Sequence, residues 1–334
     1  MRHFVVVGIL VIVMAVLTYV GLDSAGLMPV EASAQSVSID WLWNWQIVAI
    51  SFLFALIVVP MAYSMVIFRR RKGDITDAEH VEGNTTLEIT WTVIPLFIVL
   101  TFAYMGAYSL GETRRVDPNA MVIKVKAQQF TWTFEYPEYG GFFSNELHLP
   151  VDRQVVLKME SSDVIHSFWV PEFRVKQDVV PGRVTEYRIT PTLIGSYKVR
   201  CAEICGTSHS YMENAIIVED ESVFTAWASE QETIMLASQT PESLGKILTV
   251  KNGCVGCHSI DGTQLTAPTW FGLYGSDVPL ADGTTVVADD AYLAESILNS
   301  TAKLVEGFSP TTMPAYTLTD VEVANLIAYI KTLK

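Results

Sequence analysis

The sequence predicts a multidomain chain: a transmembrane helical hairpin, then a small all-β sandwich, then a small all-α domain. Three observations predict it. Two long uncharged runs flank a basic cluster, the middle of the chain alternates as strands do, and the C-terminal part returns to helical periodicity around a Cys-x-x-Cys-His sequence. At 334 residues the chain has room for two folded domains besides a membrane part, since domains usually run to about 100–200 residues. Hydrophobic residues make up 50% of it, which agrees with a membrane portion. The formal net charge of −14 argues against a nucleic-acid partner, which needs basic stripes, and fits a solvated acidic face able to attract a basic protein.

Residues 4–20 are apolar and follow Arg2, and Ala32-Ser33-Ala34 has the A-x-A form of a leader-peptidase site. Residues 1–34 therefore read as a cleaved signal peptide; an uncleaved anchor is the alternative, because the run approaches the about 20 residues that span a bilayer. Residues 41–68 carry no charge and begin with Trp41, Trp43 and Trp45, a residue type that anchors at the membrane interface. Arg69-Arg70-Arg71-Lys72 follows at once and should stay cytoplasmic, which puts the tryptophan end outside. A second uncharged run, residues 89–111 with Pro95 inside, returns the chain to the outside. The expected result is a hairpin over residues 41–111 with both long flanks exported.

After Asp117-Pro118 the pattern changes to strands. Residues 121–136, 154–159, 184–189 and 196–200 alternate and are rich in β-branched and aromatic side chains, with turns such as Pro181-Gly182 between them. Residues 117–219 thus read as a sandwich or barrel, with a loop at residues 166–171 and another at residues 201–212 at one end. The acidic stretch that follows, residues 220–240, reads as a solvated linker, partly helical. Residues 241–334 form the last domain, with helices expected near residues 242–252, 291–298 and, after the capping-box sequence Thr319-Asp320-Val321-Glu322, up to residue 333.

Two stretches carry the chemistry. Residues 201–212 read CAEICGTSHSYM, placing Cys201, Cys205, His209 and Met212 within one loop. Thiolate, thioether and imidazole together favour copper, or zinc if the site is tetrahedral. One thiolate with two imidazoles would make a mononuclear blue-copper site, whereas two thiolates can bridge two copper ions, each capped by a histidine. His209 supplies one cap, and His166 in Val164-Ile165-His166-Ser167-Phe168-Trp169 supplies the other. Cys254-Val255-Gly256-Cys257-His258 has the spacing for covalent haem c, with two thiols for the vinyl groups and the adjacent imidazole for the iron. Met313, in Thr312-Met313-Pro314, is the candidate for the second axial position, because no histidine follows His258. The four cysteines are thereby used in two pairs, and none remains for a structural disulfide. His3, His80 and His148 have no partner at metal spacing and read as surface or structural residues.

The hairpin, the strands and Cys201-x-Glu203-x-Cys205-Gly206-x-x-His209-x-x-Met212 together resemble subunit II of the haem-copper cytochrome c oxidases. The C-terminal part resembles a cytochrome c domain fused to that subunit, as in the caa-type bacterial oxidases. The resemblance implies a Greek-key cupredoxin fold for the sandwich and a dinuclear CuA held by His166, Cys201, the Glu203 carbonyl, Cys205, His209 and Met212. It further implies a magnesium site shared with subunit I at the Glu203 side chain, and a proton-channel entrance at Glu88. As implied partners it gives subunit I and other oxidase subunits, the bacterial cell membrane with both soluble domains on its outer face, and an external donor such as a cytochrome c or a quinol–cytochrome c reductase complex. Electrons would enter at haem c, pass to CuA and reach subunit I, where oxygen is reduced to water with proton pumping. Alternatives are the electron-accepting subunit of a CuA-containing nitric oxide reductase, and a copper-delivery or zinc-structural protein. One departure stands out: aligning Gln129-x-x-Trp132 with the family's aromatic run puts Phe130 where a tryptophan usually receives electrons from a soluble cytochrome. A tethered haem domain would supply those electrons instead, at high effective concentration.

Overall fold

The computed structural model describes the chain except for Arg71, Ala78, Glu79, Val81, Ser238, Gln239 and residues 309–312. Arg71 of the expected basic cluster and Thr312 beside Met313 therefore lie outside the described residues. The chain divides into two units, residues 1–31 with 35–115, and residues 32–34 with 116–334.

The first unit is helical: α1 (Arg2–Ser24), α2 (Ala34–Ile67) and α3 (Thr85–Thr113). All three are long and apolar enough to cross a membrane, so one more span-length helix precedes the expected hairpin. Val11 of α1 is buried with Ala55 and Val59 of α2, and the His3 ring bonds Tyr63 Oη at 2.7 Å. Ser38 Oγ donates to Ser109 Oγ at 2.8 Å, tying α2 to α3. Pro60 and Pro95 lie inside helices, which membrane helices tolerate because neighbouring groups satisfy the freed carbonyls. Asn84 caps α3 by accepting from the Leu87 amide at 3.1 Å, and Glu88 sits in the first turn, where a carboxylate complements the helix dipole.

The second unit contains the sandwich and the C-terminal domain. Ten strands form two five-stranded sheets. One is ordered β3 (Phe142–Ser144), β2 (Thr131–Tyr136), β1 (Met121–Gln128), β5 (Val155–Ser161), β8 (Thr185–Ile189). The other is ordered β4 (Leu147–Pro150), β10 (Glu213–Glu219), β9 (Gly195–Cys201), β6 (His166–Val170), β7 (Val175–Val179). β1 runs parallel to β5 and β10 parallel to β4. Such pairs cannot be joined by tight hairpins, and they give the crossed connections of a Greek key. Trp132, Phe134, Tyr136, Leu157 and Phe168 are fully buried between the sheets. Ala32 and Ser33 join this core: Ala32 N–H donates to Glu172 O, its carbonyl accepts from Thr192, and Ser33 bridges Pro191.

Three expectations change, and a fourth, for His148, narrows to a structural role. Residues 121–136 form two strands, β1 and β2, because Gln129 and Phe130 make the turn between them. The expected loop at residues 166–171 begins as a strand, β6, so His166 is fixed by a ladder to β7 and β9. The expected linker is α4 (Glu221–Ala237), seated on the sandwich. Its Phe224, Trp227 and Ala228, spaced i, i+3, i+4, make a buried stripe that acidic composition alone conceals. Trp227 stacks on His148 at 3.7 Å, and His148 Nδ1 reaches Glu219 at 2.9 Å, so His148 is a structural residue with partners.

The C-terminal domain is built from α5 (Pro241–Lys251), α6 (Asp290–Leu298) and α7 (Asp320–Ile330), plus a short two-stranded ribbon, β11 (Asp277–Pro279) and β12 (Thr285–Val287), that helical periodicity does not reveal. Capping boxes at Thr240/Ser243 and Thr319/Glu322 start α5 and α7. Gly245 lets these two helices cross closely, since a Cβ there would collide with the Asn325 carbonyl.

Candidate functional site

The ends of β6 and β9 and the loop after β9 bring the expected copper ligands together around two sulfurs. Cys201 Sγ and Cys205 Sγ lie 3.8 Å apart. His166 Nδ1 is 3.8 Å from Cys201 Sγ, and the Glu203 carbonyl oxygen is 3.2 Å from the same sulfur. On the other side His209 Nδ1 lies 3.6 Å and Met212 Sδ 3.8 Å from Cys205 Sγ. Each sulfur thus has one imidazole and one weaker donor beside it. That symmetry fits a pair of soft metal ions bridged by two thiolates better than a closed four-ligand zinc site, which would leave donors unused. His166, Cys201, Cys205 and Met212 are buried, whereas the Glu203 side chain is exposed.

The protonation chemistry of the free ligands agrees with a metal site. The neighbouring Cys205 thiol, together with His166 and two backbone groups, draws the Cys201 thiol far below its ordinary value despite burial, and the same pairing raises Cys205. Burial lowers the proton affinity of His166, but Asp163 and Cys201 outweigh it and the net shift is upward. Asp163 holds His166 Nε2 at 2.8 Å, which leaves Nδ1 for the sulfur side. Asp163 belongs to the site but is not flagged by spacing rules, because it holds a candidate ligand rather than being one; its signal is only a carboxylate three residues before His166. Gln129 is another, and its side-chain amide donates to the Cys205 carbonyl.

The second site is an apolar cavity in the C-terminal domain, partly open to solvent and lined by Cys254, Cys257, His258 and Met313. The short turn Cys254–Gly256 presents the thiols. Burial pushes the Cys254 thiol up to about 12 and lowers His258, so both are held neutral. His258 Nδ1 bonds the Pro268 carbonyl at 2.7 Å and the ring stacks on Trp270 at 4.7 Å, leaving Nε2 for a ligand. Two thiols, one oriented imidazole and one thioether around an apolar slot fit a covalently attached haem. Glu88, by contrast, is exposed on α3 in the helical unit.

Three family models match the chain. The chain matches the family Cytochrome C oxidase subunit II, transmembrane domain, over residues 21–110, the periplasmic domain of that subunit over residues 142–221, and Cytochrome c over residues 243–334. It is 31% identical to cytochrome c oxidase subunit 2 of Alkalihalophilus pseudofirmus, covering 88% of each chain. To the Synechocystis protein of the same name it is 34% identical over 61% of this chain and 75% of that one. Among solved structures, the periplasmic domain of subunit II of cytochrome oxidase of Bradyrhizobium japonicum matches with TM-score 0.34 and 30% identity, covering 35% of this chain and 98% of that one. From its membrane helices through its sulfur site to its Cys-x-x-Cys-His pocket, the chain belongs to the cytochrome c oxidase subunit II family, in the form that carries a fused cytochrome c domain.

Proposed function

We propose that the chain is the electron-accepting subunit of a membrane terminal oxidase, in which electrons arrive at the C-terminal domain, pass to the sulfur site and continue to subunit I for oxygen reduction with proton pumping. Cys254 and Cys257 would hold haem c covalently, with His258 and Met313 as its axial ligands. His166, Cys201, the Glu203 carbonyl, Cys205, His209 and Met212 would hold CuA. When bound, the haem supplies a one-electron couple, and a His/Met ligand pair gives it a raised potential suited to transfer. Strand ladders fix His166 and Cys201, and backbone hydrogen bonds from Cys201 to Met212 and from His209 to Gly206 hold the loop that carries the rest, so little need move when charge changes.

One observation carries the order of transfer. The turn Cys254–Gly256 lies against Thr131, the first residue of β2, and the adjacent Phe130 is only 5% exposed. Phe130 itself packs in the sandwich core against Gly206, and the chain's own attachment turn sits on the strand that follows it, so the haem domain occupies the ground beside the usual receiving position. Rapid mixing of the purified oxidase with a reduced donor tests this: haem reduced before copper is expected, and copper reduced first refutes the order.

The remaining assignments complete the reading. The exposed Glu203 carboxylate is free to share a magnesium ion with subunit I, and Glu88 would mark a proton-channel entrance, so Glu88→Gln should slow turnover of the complex while leaving copper reduction intact. Both soluble domains would face outward, where a cytochrome c or a quinol–cytochrome c reductase complex delivers electrons.

A further inference from the structure

We propose that Gln129 is the residue that couples the haem pocket to the sulfur site, and that the β1–β2 turn carrying it is a fixed dock for the haem-attachment turn. This rests on the haem-to-copper order above and goes beyond it, because it names the contact through which the two sites communicate.

Gln129 touches both sites. Among the described residues lining the C-terminal cavity it alone comes from the sandwich. Its side-chain amide donates to the carbonyl of Cys205. Its backbone N–H donates to Asp163 Oδ2 at 2.7 Å, and the other Asp163 oxygen holds His166. From the wall of one pocket, single hydrogen bonds therefore lead to a peptide of the thiol pair and to the carboxylate that orients a capping imidazole. Electronic coupling decays more steeply across gaps than along covalent and hydrogen bonds, so this side chain is the place where a gap would otherwise fall.

The dock holds Gln129 there. Gln128 Nε2 and Tyr316 Oη both donate to the Asn252 carbonyl, the latter at 3.1 Å, and Thr133 Oγ1 donates to Val250 O at 3.3 Å. A Cβ at Gly256 would lie 2.6 Å from Thr131 Cβ, and one at Gly253 would also collide with Thr131. The glycine inside the haem-attachment sequence is thus required by the sandwich surface. A domain that swung freely on a linker would have no use for two glycines fitted to one threonine.

In the coupled step one electron leaves the reduced haem, supplied by an external one-electron donor, and enters the oxidised copper pair; no bond forms or breaks and no proton moves. Gln129→Met keeps the length of the side chain but not its donor. In the purified oxidase it should slow haem-to-copper transfer by between about tenfold and about a hundredfold, the upper figure being what an ångström of misplacement can cost a reacting pair. Redox titration should find both potentials unchanged, and direct reduction of copper by a small reductant should keep its wild-type rate. Haem reduced first with transfer unchanged in Gln129→Met would overturn this proposal alone, whereas copper reduced first in the wild type would overturn the order beneath it. Hydrogen exchange on the wild-type holoprotein gives a readout free of variants and of turnover: slow exchange of residues 128–131 together with 252–257 is expected. Fast exchange of either segment overturns the dock whatever the variant does.

Discussion

The sulfur site of the sandwich and the pocket of the C-terminal domain prepare for their cofactors by opposite means. In the sandwich the protein is nearly complete by itself. Cys201, Cys205 and Met212 belong to the same buried cluster as Trp132 and Phe168, and four further donors already surround the two sulfurs. In the C-terminal domain the centre is an apolar cavity, rimmed by Trp270, Leu293, Ile297 and Ile330. Atoms facing a void lose their dispersion partners, and a small domain has few others to offer. Metal would thus tune a finished fold in the first region, whereas a prosthetic group would complete the core of the second.

The largest test of that contrast is removal of haem. Cys254→Ser with Cys257→Ser should abolish the cooperative unfolding transition of residues 241–334, followed by hydrogen exchange, while the sandwich still takes up its full copper complement; an intact transition would break the contrast. Next is the packing of the sandwich itself. Phe224→Ala removes a fully buried ring under α4 and should cost about 3–5 kcal/mol in denaturant unfolding, with copper content per folded chain unchanged. A smaller effect is expected at the support of the imidazole. Asp163→Asn should weaken copper binding by about 10–100-fold, the usual cost of losing an outer partner of a ligand histidine, with little change in unfolding of the metal-free chain.

The smallest effect is a pH dependence confined to the metal-free sandwich. Asp163 raises the proton affinity of His166 above its ordinary value of 6.5 against the opposing effect of burial. A group with a raised folded pKa contributes stability that is complete below the unfolded value and is lost as pH rises through the folded one. Cys201 contributes the opposite slope over the same range, because a thiol held far below its ordinary value adds stability as pH rises. Denaturation midpoints of the copper-free protein should therefore stay nearly flat from pH 6 to pH 8, and Cys201→Ser should expose the decline that His166 alone would give.

Both cofactor sites were largely legible in the sequence because their ligands cluster within a dozen residues or follow a fixed spacing. The hairpin was legible because a bilayer demands long uncharged runs. What escaped depends on distant pairing. The acidic stretch after the sandwich hides the stripe Phe224, Trp227, Ala228, which has meaning only against Tyr136 and Phe142. His166 lies on a strand because β7 and β9 flank it, and neither is adjacent in the pattern that suggested a loop. Gln129 and Asp163 carry no ligand atom, so only the folded arrangement gives them a role.

The segment Ala32-Ser33-Ala34 has a consequence in time. Ser33 Oγ donates to Phe173 O at 3.0 Å, Ala34 N–H donates to Thr190 O at 2.9 Å, and both Ala32 and Ser33 are wholly shielded from solvent. A peptidase needs an extended chain it can grip. Closure of the sandwich around these residues therefore sets a deadline: scission after Ala34 happens on the nascent chain before the strands close, or the first helix stays for the life of the protein. The mass of the mature chain records which of the two was faster.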